Sequence, residues 1–233
     1  MTVRIRQLVL AVHELEAARE ELEDAFGIEE AYRDAGVAKY HLHNVLLPVG
    51  TDFLELVSPL GDEAPAARYL EQVGSEGGYM LIVQVDDWDE AVRRVEQAGV
   101  RIVERAERGH VQKGWHIHPA DVPGAIVSFD WADPPEAWHW AGEDWERHVR
   151  TERVTGFAGA AISTREPETL AACWHEVLGG ELDGDVLRLD GTVVRFEPWE
   201  RDYARMTAIE LLAADRAEVG KTVLIRGVDF RLV

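Results

Sequence analysis

The chain has 233 residues, 46% hydrophobic and 29% charged, a globular composition with enough length for one large domain or two small ones. Its formal charge of −20, from 44 acidic against 24 basic residues, disfavours nucleic acid and anionic membrane surfaces as partners. A single cysteine, Cys173, excludes an internal disulfide and any multi-cysteine metal centre, and no apolar run approaches the ~20 residues of a membrane span.

In chain order, residues 8–27 read LVLAVHELEAAREELEDAFG. This predicts a strand, then a helix with Leu15, Ala18, Leu22 and Ala25 on one face, stopped by a glycine. The N-terminus lacks a small-residue cleavage site, so the expectation is a cytoplasmic protein without a secretion signal. YHLHNVLLPV and DFLELVS follow as two strands around Gly50-Thr51. Residues 81–99, LIVQVDDWDEAVRRVEQAG, repeat the strand–helix–glycine pattern with Trp88, Ala91, Val92 and Val95. VRIVER, WHIHP and GAIVSFDW are the strands that come after it. Residues 134–152 form a connector that opens on prolines and is rich in tryptophan. Residues 158–179 are a third copy, with Leu170, Trp174, Val177 and Leu178 on the helix. VLRL and TVVRF follow it around Asp190-Gly191, a hairpin signal. The last 27 residues, from Thr207, leave a fourth copy room for little more than one helical turn around Arg216-Ala217-Glu218.

A strand, a helix and several strands, repeated, resemble the β-α-β-β-β units of the vicinal oxygen chelate superfamily, which includes glyoxalases, methylmalonyl-CoA epimerases and bleomycin-resistance proteins. The likeness is closest over residues 5–130, in "VLLPVGTDFLELVSP", "ARYLEQVGSEGGYM", "VQVDDWDEAVRRVEQAGV" and "HPADVPGAIVSF". It implies an α+β fold of paired units in curved, cup-forming mixed sheets, with a shortened fourth unit. The expected organisation is a glyoxalase-like domain over 1–133, the connector over 134–152, and a second, shortened glyoxalase-like domain over 153–233.

In that family a divalent metal is held by the first and last strands of two units. Carried over position by position, the ligand places fall on Gln7, Glu55, Met80 and Ser128. Only Glu55 is a clean match; Gln7 is a weak oxygen donor, Met80 a poor ligand for a hard cation, and Ser128 lacks a carboxylate. A divalent metal is therefore conceivable, but its usual ligand set is incomplete. The histidines of YHLHN and WHIHP bear on this, since two histidines one residue apart on a strand share a face. Hairpin register decides which of them meets Glu55. A two-residue turn at Gly50-Thr51 puts Asn44 on the face of Glu55, and a three-residue turn puts His43 there instead. His116 is the better pocket candidate of the second pair, with His118 at a turn before Pro119 and Trp115 as an apolar wall; packing is the commoner fate of such a tryptophan.

The resemblance implies a small-molecule ligand and proton transfer beside a carbonyl, of the lyase or isomerase kind. Glu55, His43 and His116 are the candidate catalytic residues, and Asn44, Trp115, His118, Met80 and Ser128 the candidate ligand contacts. Gln7 and Glu55 are what remains of a metal site. The alternative is a metal-free protein that sequesters a small molecule, as bleomycin-resistance proteins do. Pairing of two chains into a homodimer across their sheet edges is left open.

Overall fold

The structure is a computed structural model describing all residues 1–233. Seven strands make a first sheet: β1 (Val3–Ala11), β2 (Leu42–Val49), β3 (Asp52–Pro59), β4 (Gly77–Val85), β5 (Ile102–Arg108), β6 (Gln112–Ile117) and β7 (Ile126–Ala132), in the order β2-β3-β1-β4-β7-β6-β5. A second contains β8 (Val154–Thr164), β9 (Glu181–Asp183), β10 (Val186–Arg188), β11 (Val193–Pro198), β12 (Arg205–Ala213), β13 (Thr222–Ile225) and β14 (Val228–Leu232), in the order β13-β14-β12-β8-β11-β10-β9. This is a mixed α+β fold of curled sheets.

The repeat governs the pairing. In every copy the first strand runs parallel to the last: β1 with β3, β4 with β7, β8 with β11 and β12 with β14. The remaining strands join as antiparallel hairpins. Parallel neighbours need a crossover, and the helices supply it. These are α1 (Leu15–Phe26), α3 (Trp88–Ala98) and α4 (Pro167–Leu178); α4 buries the whole stripe that the spacing predicts, whereas α3 buries Ala91 and Val95 and leaves Trp88 and Val92 half-buried. On α1 the stripe is completed by Phe26, which is buried where Ala25 is only half-buried. The fourth crossover is a single 3-10 turn over Arg216–Glu218. A further helix, α2 (Pro65–Val73), starts on a proline and stops at Gly74 in the left-handed conformation; the repeat pattern does not announce it.

Contacts group the chain into two compact units. One comprises Met1–Arg6, Met80–His139 and Ala158–Thr207. Its core holds Trp174, which packs edge-on against Phe196 and donates its indole N–H to Pro123 O at 2.8 Å. The buried guanidinium of Arg6 lies under Trp138 of the connector and donates to Glu136 O.

The other unit comprises Gln7–Tyr79, Trp140–Phe157 and Ala208–Val233. Here α1 packs against the β13–β14 hairpin, with Phe26 5.2 Å from Phe230 between ring centres. The fourth copy has no helix of its own to cover this hairpin, and the helix of the first copy packs against it instead. At the β2–β3 turn Gly50 has φ +63°, and a Cβ there would lie 2.1 Å from Thr155 O. Only glycine fits both the conformation and the approach.

Candidate functional site

Glu55 lies at the middle of β3, and its neighbours follow from register. β1 and β3 pair in parallel with Val9 opposite Glu55, which puts Gln7 and Val9 on the same face as Phe53 and Glu55. Gly50-Thr51 is a two-residue turn, so β2 pairs with β3 as Leu46 to Glu55 and Asn44 to Val57. Asn44 therefore joins Glu55. His43 pairs with Ser58, stands on the opposite face and is exposed, and so cannot meet Glu55. His41 is exposed as well, in the left-handed conformation that ends a 3-10 turn over Ala35–Tyr40.

The carboxyl group of Glu55 is clamped. Gln7 Nε2 donates to Oε2 at 2.6 Å and Asn44 Nδ2 donates to Oε1 at 2.7 Å. Asn44 is held in turn by the main-chain N–H of Asp34, which donates to its Oδ1 at 2.9 Å. The Asp34 carboxylate accepts from Gly36 N and so caps the same 3-10 turn. Phe53, two residues earlier on the same strand and face, is apolar and packs edge-on against Trp145.

Burial controls the acidity of this group. Glu55 is 7% exposed, and loss of hydration pushes its pKa from 4.5 up to about 7. The hydrogen bonds from Asn44 and Gln7 act the other way by favouring the anion, and the nearby negative charge of Asp34 adds to the rise. The result is a buried carboxyl group that exchanges its proton near neutrality.

The other candidates sit in the unit that contains Met80–His139. His116 pairs with Ser128 across β6 and β7 and is half-buried. Ser128 donates its hydroxyl to the carboxylate of Asp130, two residues on and on the same face. Gly114 stands opposite Asp130, where a Cβ would come within 2.6 Å of Oδ2. Met80, opposite Ile126 on β4, is half-buried. Trp115 points to the face away from His116, where it packs on Trp88 with Arg105 stacked over it. It is a packing residue and no wall beside the histidines. His118 belongs to the turn before Pro119: its N–H donates to Arg101 O, and its Nδ1 accepts from Ala120 N at 3.1 Å.

Two acids escaped the sequence reading. Asp34 lies ten residues from Asn44 and touches it through the main chain, a contact no side-chain pattern reveals. Asp130 carried a usable signal, because in "VSFDW" it has the same strand parity as Ser128.

The four places where the superfamily holds a divalent metal do not fit one here. Gln7 spends its amide N–H on Glu55, and both Glu55 oxygens already accept from amides. Ser128 gives its hydroxyl to Asp130, and Met80 offers only a thioether. No three His, Cys, Asp or Glu side chains come together in a way that could hold a metal ion.

The glyoxalase-like domain family matches residues 8–178, and the chain belongs to it. The family lies within the vicinal oxygen chelate superfamily. The mitochondrial methylmalonyl-CoA epimerase of Bos taurus is 28% identical over 131 residues, covering 55% of this chain and 74% of that protein. A hypothetical protein from Staphylococcus aureus of known crystal structure superimposes with a TM-score of 0.75 at 13% identity, over 100% of this chain and 99% of its own. A methylmalonyl-CoA epimerase solved with methylmalonyl-CoA and NH4+ gives a TM-score of 0.51 at 20% identity, over 58% of this chain and 98% of its own. At these identities the two structures speak for the fold alone. No helix is long and apolar enough to cross a membrane.

Proposed function

We propose that the protein is an isomerase-type enzyme that moves a proton on the carbon beside a carbonyl of a small molecule, with Glu55 as the general base. The observation that carries this reading is the setting of Glu55: buried and held by two amides, with burial pushing its pKa up to about 7. A general base works best when its pKa lies near the working pH, and burial has brought this carboxylate there. The amides fix its orientation, so that it can be presented to a C–H bond without first shedding a water shell. Proton removal leaves an enolate, whose oxygen needs a hydrogen-bond donor or a positive group.

Acyl-CoA thioesters are the first substrate class to try, since the epimerase relative acts on one by name. The thioester carbonyl acidifies the neighbouring C–H, and an epimerase returns the proton to the opposite face.

The test is hydrogen exchange. Methylmalonyl-CoA incubated with the protein in D2O is expected to take up deuterium at its α-carbon, read by NMR. Glu55→Gln should slow this by about 100-fold or more, the usual contribution of a general base. His43→Ala, altered on the opposite face, should leave it unchanged. Exchange that persists in Glu55→Gln would sink the assignment of the base. Tight binding of the thioester with no exchange in the unaltered protein would sink the enzyme reading in favour of sequestration.

A further inference from the structure

An asparagine amide has two unlike ends, a donor at Nδ2 and an acceptor at Oδ1. At Asn44 both ends are assigned by their partners. Oδ1 takes the main-chain N–H of Asp34 at 2.9 Å, which leaves Nδ2 on Glu55 Oε1 at 2.7 Å. Turning the amide over would set Oδ1 against the Glu55 oxygen and leave the Asp34 N–H without its acceptor. Asn44 is 3% exposed, so water is a poor substitute for either bond.

We propose that Asn44 is a positioning residue for Glu55: locked by the Asp34 main chain, it holds the carboxylate form of Glu55 in one orientation and ties the 34–40 segment to the base. The inference rests on the reading of Glu55 as the base. In this role Asn44 acts through Glu55, to which its Nδ2 donates.

The groups that face Glu55 can be named. Gln7 reaches it from β1 and Asn44 from β2, both as neutral donors. Asp34 acts on it from the loop as a negative charge, and Phe53, two residues before it, shares its face. Loss of hydration and the Asp34 charge favour the protonated acid, while the two amides favour the anion. Asn44 is thus one of the two amide donors that hold the Glu55 carboxylate. Movement of the 34–40 segment that withdrew the Asp34 N–H would release the amide and weaken that support.

The experiment is an NMR titration of Glu55 in protein carrying 13C-labelled glutamate carboxyl groups, with Glu55→Gln used to assign the signal. In the unaltered protein the midpoint is expected at about 7. In Asn44→Ala and Asn44→Asp it should rise by about one pH unit or more, since a hydrogen bond to a charged group has been lost. The rise should be larger in Asn44→Asp, which keeps the shape of the side chain and the bond from Asp34 but adds a like charge. If kcat/KM for α-proton exchange is measured alongside, its acid limb should move with the NMR midpoint. Folded variants, checked by circular dichroism, whose Glu55 titrates as in the unaltered protein would overturn the proposal. Because the titration reads Glu55 whether or not a substrate turns over, a shifted midpoint in a protein without exchange activity supports the role of Asn44 and removes only the assignment of Glu55 as base.

Discussion

Asn44 Nδ2 lies 2.7 Å from Glu55 Oε1, while the neighbouring His43 stands on the opposite face of the same strand. One residue of register separates a clamp on a buried acid from an exposed imidazole. The proposed chemistry depends on that step, because its surroundings push the pKa of this acid up to about 7.

The first prediction concerns the effect of Glu55 on stability. Its pKa is about 7 when folded and 4.5 without burial, so the folded state holds the proton more tightly. Its contribution is fully present below about pH 4.5 and is lost as the pH rises through about 7. A shift of this size corresponds to roughly 3 kcal/mol. Glu55→Gln does not titrate and fits the same space. Asn44 can donate to its Oε1, and Gln7 can turn its amide over to accept from Nε2. The variant should therefore match the unaltered protein near pH 4 and exceed it by on the order of 2–3 kcal/mol at pH 8. Denaturant unfolding at the two pH values checks this, and an unchanged difference between them would refute it.

How much of this was legible in the chain depends on how local the cause is. α1, α3 and α4 are visible because three- and four-residue apolar steps mark them, and the fourth copy is visibly too short for more than the turn at Arg216–Glu218. Helix α2 was not visible as a helix: the nine residues Pro65–Val73 leave too little room for a pattern. Glu55 was found through the family likeness. The choice between Asn44 and His43 was not available, because two- and three-residue turns at Gly50-Thr51 differ only in backbone. The feature that bears on it, the approach of Thr155 O to Gly50, comes from more than a hundred residues away.

That approach yields the second prediction. Gly50→Ala would place a Cβ 2.1 Å from Thr155 O at a φ of +63°. Left-handed strain alone is about 1 kcal/mol or more, and the clash adds to it. Loss of at least about 2 kcal/mol is expected, read as a lower unfolding midpoint. Since the same turn sets the β2–β3 register, the surviving folded fraction should also show a disturbed Glu55 titration. A variant as stable as the parent would mean that the turn and the Thr155 segment are not packed as described.

A third prediction follows from the donor set at Gln7, Glu55, Met80 and Ser128. Elemental analysis of the purified protein should find no stoichiometric divalent metal, and a chelator should leave the unfolding midpoint where it was. A metal that bound the folded state at 100 times its Kd would raise stability by about 2.7 kcal/mol, so an occupied site would be plain in a thermal scan with added zinc or cobalt. One metal per chain, lost in Glu55→Gln, would contradict the account of the site, because the residues at these four places would then hold a metal that their chemistry does not favour.

The last prediction addresses the helix that α1 lends to the fourth copy. Phe26 and Phe230 are both buried, with ring centres 5.2 Å apart and planes tilted by 42°. Truncating either to alanine removes apolar burial and leaves a cavity, for an expected loss of about 3–5 kcal/mol. If the ring contact matters beyond burial, the two losses should not add. A double-mutant cycle should return a coupling of roughly 0.5–1.5 kcal/mol, the range for an aromatic pair in contact. Strict additivity would mean that each ring is supported by its other neighbours, and that the β13–β14 hairpin does not depend on this contact with α1. A measured coupling would instead show that Phe230, on the C-terminal strand β14, is stabilised by a helix from the opposite end of the chain. Truncation near the N-terminus would then be expected to loosen the C-terminal hairpin first, an order that hydrogen exchange on Phe230 and its strand partner Val223 can follow directly.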